Sequence, residues 1–303
     1  MKRALVTGSD GFVGRHMEAW FLQHGWETNI CDITYDFPVQ EFVRQPHRAS
    51  GSGVFQFRYD VVVHAAAQGP NRKAIDTTPS AFVYNTMLDA LMFEWAIRTK
   101  QRRFVYLSSS AIYPANLQWA TAHEDGRITD GILLKETLAE GAPFDHYGLA
   151  KLHGEHMAAY ARQAGLPVTV VRPFTGYGSD QTIDFPFRAF VERARHRVDP
   201  FPVWGSAQQV RDFIHIDDIC EAIMVLVDAE VTLPVNLCTG IGTTFEELKQ
   251  LVCAEAGYNP AIQVLNDEPM GVQYRVGDPT FLNHFYVPKV TLGDGVHRAF
   301  LGV

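Results

Sequence analysis

Residues 3–14 read RALVTGSDGFVG: a β-branched apolar run breaking into glycines at 8, 11 and 14 before a helical pattern begins. A short apolar run that ends in turn residues reads as a buried strand. In a strand–turn–helix of this spacing, Gly8 permits the tight turn and Gly11 lets backbone come close to a pyrophosphate. Gly14 lets the helix pack on the strand. Phe12 and Val13 then open a helix whose unpaired N–H groups and positive dipole end face the phosphates. Glycine turns before helices are common, so the motif needs support. Asp32 supplies it. It closes the next apolar run, ETNICDI at 27–33, where a carboxylate accepts both ribose hydroxyls of NAD and repels the 2′-phosphate of NADP. Arg15 is the feature that would admit NADP, and the irregular second crossover does not place Asp36.

The same rhythm continues through the first half. Apolar runs at 61–66, 103–109 and 167–173 alternate with helical stretches near 13–24, 80–99 and 147–164. Near-continuous apolar strands fit a parallel sheet buried on both faces, so the expected class is α/β, a Rossmann doubly wound parallel sheet. After residue 174 the pattern changes to Pro- and aromatic-rich segments, with helices expected at 185–196, 217–229 and 244–256 and a strand at 234–238. The expected organisation is an NAD-binding domain over 1–173, with parts of 206–240 returning to it, and a smaller C-terminal substrate lobe over 174–303. The stretches 44–53 and 114–146 read as loops, the second long enough to be a lid.

Composition narrows the class. The 303 residues carry a net charge of −8, with 47% hydrophobic and 20% charged residues. No basic face for nucleic acid is evident, and no apolar run approaches the roughly 18 residues of a membrane span. Residues 1–7 enter a strand pattern directly, without a secretory apolar core. The four cysteines show no metal or disulfide spacing, so a reducing, cytoplasmic setting is expected. Histidines 16, 64, 146, 153, 156 and 215 offer no metal-ligand geometry, and no metal is expected.

Tyr147-Gly148-Leu149-Ala150-Lys151 places a phenol and an ammonium on one helix face. A neighbouring ammonium stabilises phenolate and lowers a tyrosine pKa from about 10, making it a usable base. Ser108, Ser109 and Ser110 fall at the carboxyl end of the preceding strand, where open α/β sheets bind ligands.

Together these residues resemble the extended short-chain dehydrogenase/reductases, in the NAD-dependent epimerase/dehydratase branch that acts on nucleotide sugars. The resemblance rests on TGSDGFVG, HAAAQ at 64–68, YNTMLDAL with Asn85, LSSSAIYP at 107–114 and YGLAK. Further matches are RPFTGYG at 172–178, VWGSAQQVRDFIHIDDI at 203–219 and PVNLCTG at 234–240. It implies Tyr147 as base, Lys151 on the nicotinamide ribose, and Ser109 (Ser110 as fallback) on the substrate oxygen. Ala65, Ala66 and Ala67 would admit the cofactor, Asn85 would order that region, and Pro173 with Phe174 would line the nicotinamide. Gln68, Ser110, Thr175, Trp204, Arg211 and Arg275 would face a nucleotide-diphosphate sugar, the arginines on its diphosphate. For Trp204, core packing is an equal alternative.

Departures sharpen the expectation. The 4,6-dehydratases follow the catalytic hydroxyl residue with Asp-Glu, whereas Ser109 precedes Ser110 and Ala111; Glu124, Asp125 or Glu136 would have to swing in. The GDP-fucose synthase branch has Cys where Ala111 stands, and a His absent from Gly178-Ser179-Asp180. The 4-epimerases' RxxN asparagine is Thr175, and their C-terminal arginine falls on 268–271, with Arg275 as a substitute. The resemblance therefore implies an NAD-dependent 4-epimerase, with dehydratase, decarboxylase or reductase chemistry as the alternative. In relatives the helices at 80–99 and 147–164 form a four-helix dimer interface, implying a homodimer.

Overall fold

Successive side chains of a strand point to opposite faces, and the first strands use both for burial. In the computed structural model, Ala4, Val6, Val61 and Val63 join one apolar cluster, while Leu5 and Val62 join another on the opposite side. The structure describes residues 1–32, 53–68, 80–119, 131–265 and 271–303. It runs β1 (Arg3–Thr7), α1 (Phe12–Gln23), β2 (Glu27–Cys31), β3 (Val61–His64), α2 (Ser80–Arg98), β4 (Phe104–Leu107), α3 (His146–Gln163) and β5 (Val168–Pro173). It continues through β6 (Thr175–Tyr177), α4 (Pro186–Arg195), β7 (Phe201–Trp204), β8 (Val210–His215), α5 (Ile216–Asp228) and β9 (Val235–Leu237). Then come β10 (Gly242–Thr244), α6 (Phe245–Glu255), β11 (Ile262–Leu265), β12 (Tyr274–Arg275) and α7 (Leu292–Leu301).

The main sheet is parallel, in the order β2-β1-β3-β4-β5-β9. Helices α1 and α5 cover one face with Met17, Phe21, Ile219 and Ile223; α2 and α3 cover the other with Met92, Trp95, Ala158 and Ala161. This is the expected doubly wound α/β fold. Strand order reverses between β1 and β3, so the crevice beyond their carboxyl ends is where such a sheet takes a ligand. The glycine turn, the HAAAQ stretch and the serines all sit at that end.

A second sheet sets β8 between β10 and β12, with β6 also paired to β8, and β7 pairs with β11. Its core is aromatic: Phe187, Phe190, Phe201, Phe213 and Phe245 interlock with Val252 and Val296. Sequence periodicity does not reveal β8, β12 or α7. Residues 44–52 of the loop expected at 44–53, with Asp36, Glu124 and Asp125, lie outside the described residues, and Gly53 opens a short helical turn that runs to Gln56.

Candidate active site

Gly8 sits at φ +74°, and a Cβ there would stand 2.6 Å from the Ala66 backbone. A Cβ on Gly14 would come within 1.9 Å of the Gly8 carbonyl oxygen. Helix α1 starts at Phe12 behind Gly11, with no side-chain cap and no acid in its first turn, leaving its N-terminal end suited to an anion. Asp32 follows β2 directly, and its carboxylate accepts the Asp10 N–H at 2.9 Å, so the acid is tied to the glycine turn. Ala65, Ala66 and Ala67 extend β3 alongside. Asn85 on α2 grips Gln68 from both sides, accepting its N–H at 2.7 Å and donating to its carbonyl at 3.0 Å. Cβ-free backbone, an uncapped helix end and a nearby carboxylate together fit a dinucleotide. Gly14→Ala should cost about 3 kcal/mol, because backbone rather than a flexible side chain must move, and should weaken NAD binding; thermal melts and calorimetry measure both.

Asp145 caps α3 by accepting the Gly148 N–H at 2.8 Å, which puts Tyr147 in the first turn. A Cβ on Gly148 would meet the Ala111 carbonyl at 2.2 Å, so a glycine after the tyrosine lets the helix press on the serine loop. The three serines then separate. Ser108 is buried and donates to Glu155 at 2.5 Å; Ser110 is buried at the head of a short turn of helix; Ser109 accepts the Ala111 N–H at 3.1 Å and is the serine that favours phenolate at Tyr147. Of the three serines, only Ser109 acts on the Tyr147 phenol. Lys151 is 2% exposed, donates to the Leu107 carbonyl at 2.8 Å, and has its Nζ 5.9 Å from the Tyr147 ring centroid.

One expectation is reversed. The Tyr147 phenol is held above its ordinary value, chiefly by burial, then by the Asp145 and Asp89 charges, with only the Ser109 hydrogen bond opposing. Burial also pushes Lys151 down, against the raising effect of Asp89. The protein alone favours the neutral phenol.

Below this group runs a buried ion pair. Arg172 holds Glu155 through two bonds of 2.9 and 2.7 Å and donates to the Tyr113 hydroxyl at 3.2 Å. Tyr113 donates to Asn236 at 2.6 Å. Glu136 is pinned here: its carboxylate accepts the Asn236 N–H and its carbonyl accepts from Arg172. Phe174, expected beside the nicotinamide, packs into a core cluster with Tyr113 and Leu134, and its N–H bonds across to the Leu237 carbonyl. Pro173 ends β5 opposite Leu237.

On the second sheet Arg211 and Arg275 are register partners on neighbouring strands. Arg211 donates to the Val210 carbonyl and the Gln209 amide oxygen, both neutral, and burial with the Arg275 charge pushes it down to about 9. Two cations held together are suited to an anion. Gln118, fully buried, accepts from Arg275 at 2.5 Å and donates to the Tyr113 and Pro114 carbonyls, joining the arginines to the serine loop. Trp204 is 38% exposed at the end of β7 and so is not a core residue. Thr175, on β6, is half-buried opposite Phe213. Arg15 is engaged by Asp180 through Nε and Nη2, with His16 on the same carboxylate. Sequence reasoning passed over Gln118 and Asp89. Asp89 left a signal, a charge on the buried stripe of an otherwise apolar helix.

Residues 4–238 match the NAD dependent epimerase/dehydratase family. The chain belongs to that family. Its nucleotide cofactor is accordingly NAD, which the cradle at Gly8–Gly14 and Asp32 fits. Within the family, the chain is 27% identical over 318 residues to GDP-mannose 3,5-epimerase 1 of Oryza sativa subsp. indica, covering 99% of this chain and 81% of that protein. It is 26% identical over 320 residues to GDP-L-fucose synthase of Escherichia coli (strain K12), covering 99% and 95%. Among solved structures it superposes on the UDP-glucose 4-epimerase of Thermus thermophilus in complex with NAD at TM-score 0.77 and 23% identity, covering 97% and 96%. Among the described residues no helix is long and apolar enough to cross a membrane, and no cluster of three His, Cys, Asp or Glu is placed to hold a metal.

Proposed function

We propose that this family member is an NAD-dependent epimerase of a nucleotide-diphosphate sugar, working by transient oxidation at C4. The observation that carries it is the Tyr147 ring 5.9 Å from the ammonium of buried Lys151, with Ser109 favouring its phenolate, at the carboxyl end of β4. Bound NAD+ supplies the hydride acceptor and a positive charge that offsets the upward push on the phenol. Tyr147 takes the C4 hydroxyl proton, Ser109 bonds the same oxygen, and Lys151 holds the nicotinamide ribose. Arg211 and Arg275 take the diphosphate, with Gln68, Ser110, Thr175 and Trp204 as further sugar-nucleotide contacts. Once the 4-keto sugar has presented its opposite face, Tyr147 returns the proton.

The cofactor falls to residues 1–173, with parts of 206–240 returning; the pairing of β9 in the main sheet and the packing of α5 on α1 support that division. The sugar nucleotide falls to 174–303. Support for NAD over NADP comes from Asp32 and from the engagement of Arg15 with Asp180. Asp32→Asn should cost about tenfold in NAD affinity, since a charged acceptor is lost from the ribose, and should narrow the gap to NADP; calorimetry with both nucleotides reads this.

Dehydratase, decarboxylase or reductase chemistry is the alternative. Ala111 offers no proton carrier, and Glu136 is bonded to Asn236. Given UDP-, GDP- and dTDP-hexoses with saturating NAD+, the enzyme should invert C4 of one of them by NMR. NADH accumulation, CO2 release or water loss in place of inversion would overturn the assignment. The four free cysteines and acidic balance support a cytoplasmic setting. A homodimer through α2 and α3, a four-helix bundle, is supported by the exposure of Val83, Met87 and Tyr160. Val83→Glu should yield monomers by light scattering.

A further inference from the structure

We propose that Asp89 is a positioning residue for the Tyr147–Lys151 pair: it anchors Tyr106 beneath the Lys151 ammonium and supplies the buried negative charge facing that pair. The inference rests on the reading of Tyr147 and Lys151 as the reacting pair.

Asp89 lies on α2, is 1% exposed, and cannot reach substrate or solvent. Tyr106, on β4, donates its hydroxyl to one Asp89 oxygen at 2.6 Å. His64, on β3, meets the other at 3.0 Å through Nε2, and its Nδ1 lies 2.7 Å from the Thr7 hydroxyl. With Thr7 donating to Nδ1, the Nε2–H donates to the carboxylate. The chain Thr7–His64–Asp89–Tyr106 therefore ties the strand that leads into the glycine turn to the floor under Lys151. The Lys151 Nζ stands 5.1 Å above the centroid of the Tyr106 ring. Gly154, one turn beyond Lys151, makes this possible: a Cβ there would lie 1.9 Å from the Tyr106 hydroxyl and 2.8 Å from Asp89.

A buried ammonium is costly unless an opposite charge stands near it. Lys151 makes one hydrogen bond among the described residues, to the neutral Leu107 carbonyl, and Asp89 is the charge that favours its protonated form. The same charge opposes phenolate at Tyr147. The other groups around the pair are Asp145 at the head of α3, His64 from β3, Tyr106 from β4, and Glu155, which Arg172 of β5 neutralises. Asp89 thus biases both members of the pair toward their protonated forms. Removing its charge alone should move both titrations the same way.

Asp89→Asn removes the charge and keeps an acceptor for His64; Asp89→Thr is a smaller neutral replacement should the first not fold. In NAD-bound protein carrying tyrosine labelled at Cζ, with the Tyr147 signal assigned by Tyr147→Phe, the Tyr147 midpoint should fall by about one unit in each variant that folds. In the enzyme assay both limbs of the pH–kcat profile should shift toward acid, with KM for the nucleotide sugar little changed. Loss of activity with neither midpoint nor limbs displaced would reduce Asp89 to a packing residue and overturn the inference. The NMR titration needs no turnover, so it stands even where C4 inversion is found with no substrate.

Discussion

In Tyr147→Phe, turnover falls by about 10²–10⁴-fold, the usual worth of a positioned acid–base group, while KM for the nucleotide sugar changes little. The ring remains to pack beside Lys151 and to start α3, so NAD binding and the thermal melt should survive. The wild-type pH profile carries a second signature. Because burial, Asp145 and Asp89 all raise the Tyr147 phenol, the base form grows as pH rises, and kcat should climb from neutral into alkaline solution; the phenylalanine variant should show no such climb. Stability moves in the opposite sense. A phenol raised in the folded state keeps its proton when the unfolded chain, near about 10, begins to lose one. Its effect is absent below that value and destabilises folding above it. Tyr147→Phe should therefore resist alkaline unfolding better than wild type, and melts across pH test this directly.

Arg211→Met should lower affinity for a nucleoside diphosphate by about ten- to a hundredfold, as expected when a charge-assisted bond of about 1.5–3 kcal/mol is lost. It should also raise the melting temperature of ligand-free protein. Replacing a poorly compensated, half-buried charge with an apolar side chain should be stabilising by about 1 kcal/mol, equivalent to about 2 °C in a chain of this size. The reason lies in the strand register, which sets Arg211 beside Arg275 and leaves it bonded to neutral oxygens. At neutral pH the guanidinium is charged and the repulsion is present in full. Calorimetry with UDP and GDP, alongside melts, separates the two effects; a variant that binds normally would remove Arg211 from the site.

Much of this was legible in sequence because short β-branched apolar runs bounded by glycine and turn residues read as buried strands. β1, β3, β4 and β5, with the glycine turn and YGLAK, needed only local patterns. What was hidden is hidden for physical reasons. The β8 residues VRDFIH read as charged, yet Asp212 is fully buried, accepting from Thr239, Gly240 and Gly277, partners far away in sequence. Helix α7 carries Gly293 and Gly295, which argue against a helix by propensity. Gly295 is there because a Cβ would lie 2.3 Å from the Tyr177 ring. The direction of the Tyr147 shift was missed because YxxxK reports a neighbour but not burial, and burial outweighs the neighbour.

Gln118 ties the far end of the crevice to the near one through a single rigid amide. A sugar monophosphate, offered in place of the full nucleotide conjugate, lacks the second phosphate and the nucleoside, and so makes fewer of the contacts that Arg275 passes through Gln118 to the loop carrying Ser109. Its penalty should then appear in the rate of reaction at saturation as well as in the concentration needed to reach it, because remote contacts contribute to alignment at the reacting carbon. Gln118→Ala should erase that distinction, making whole and truncated substrates alike in their maximal rates.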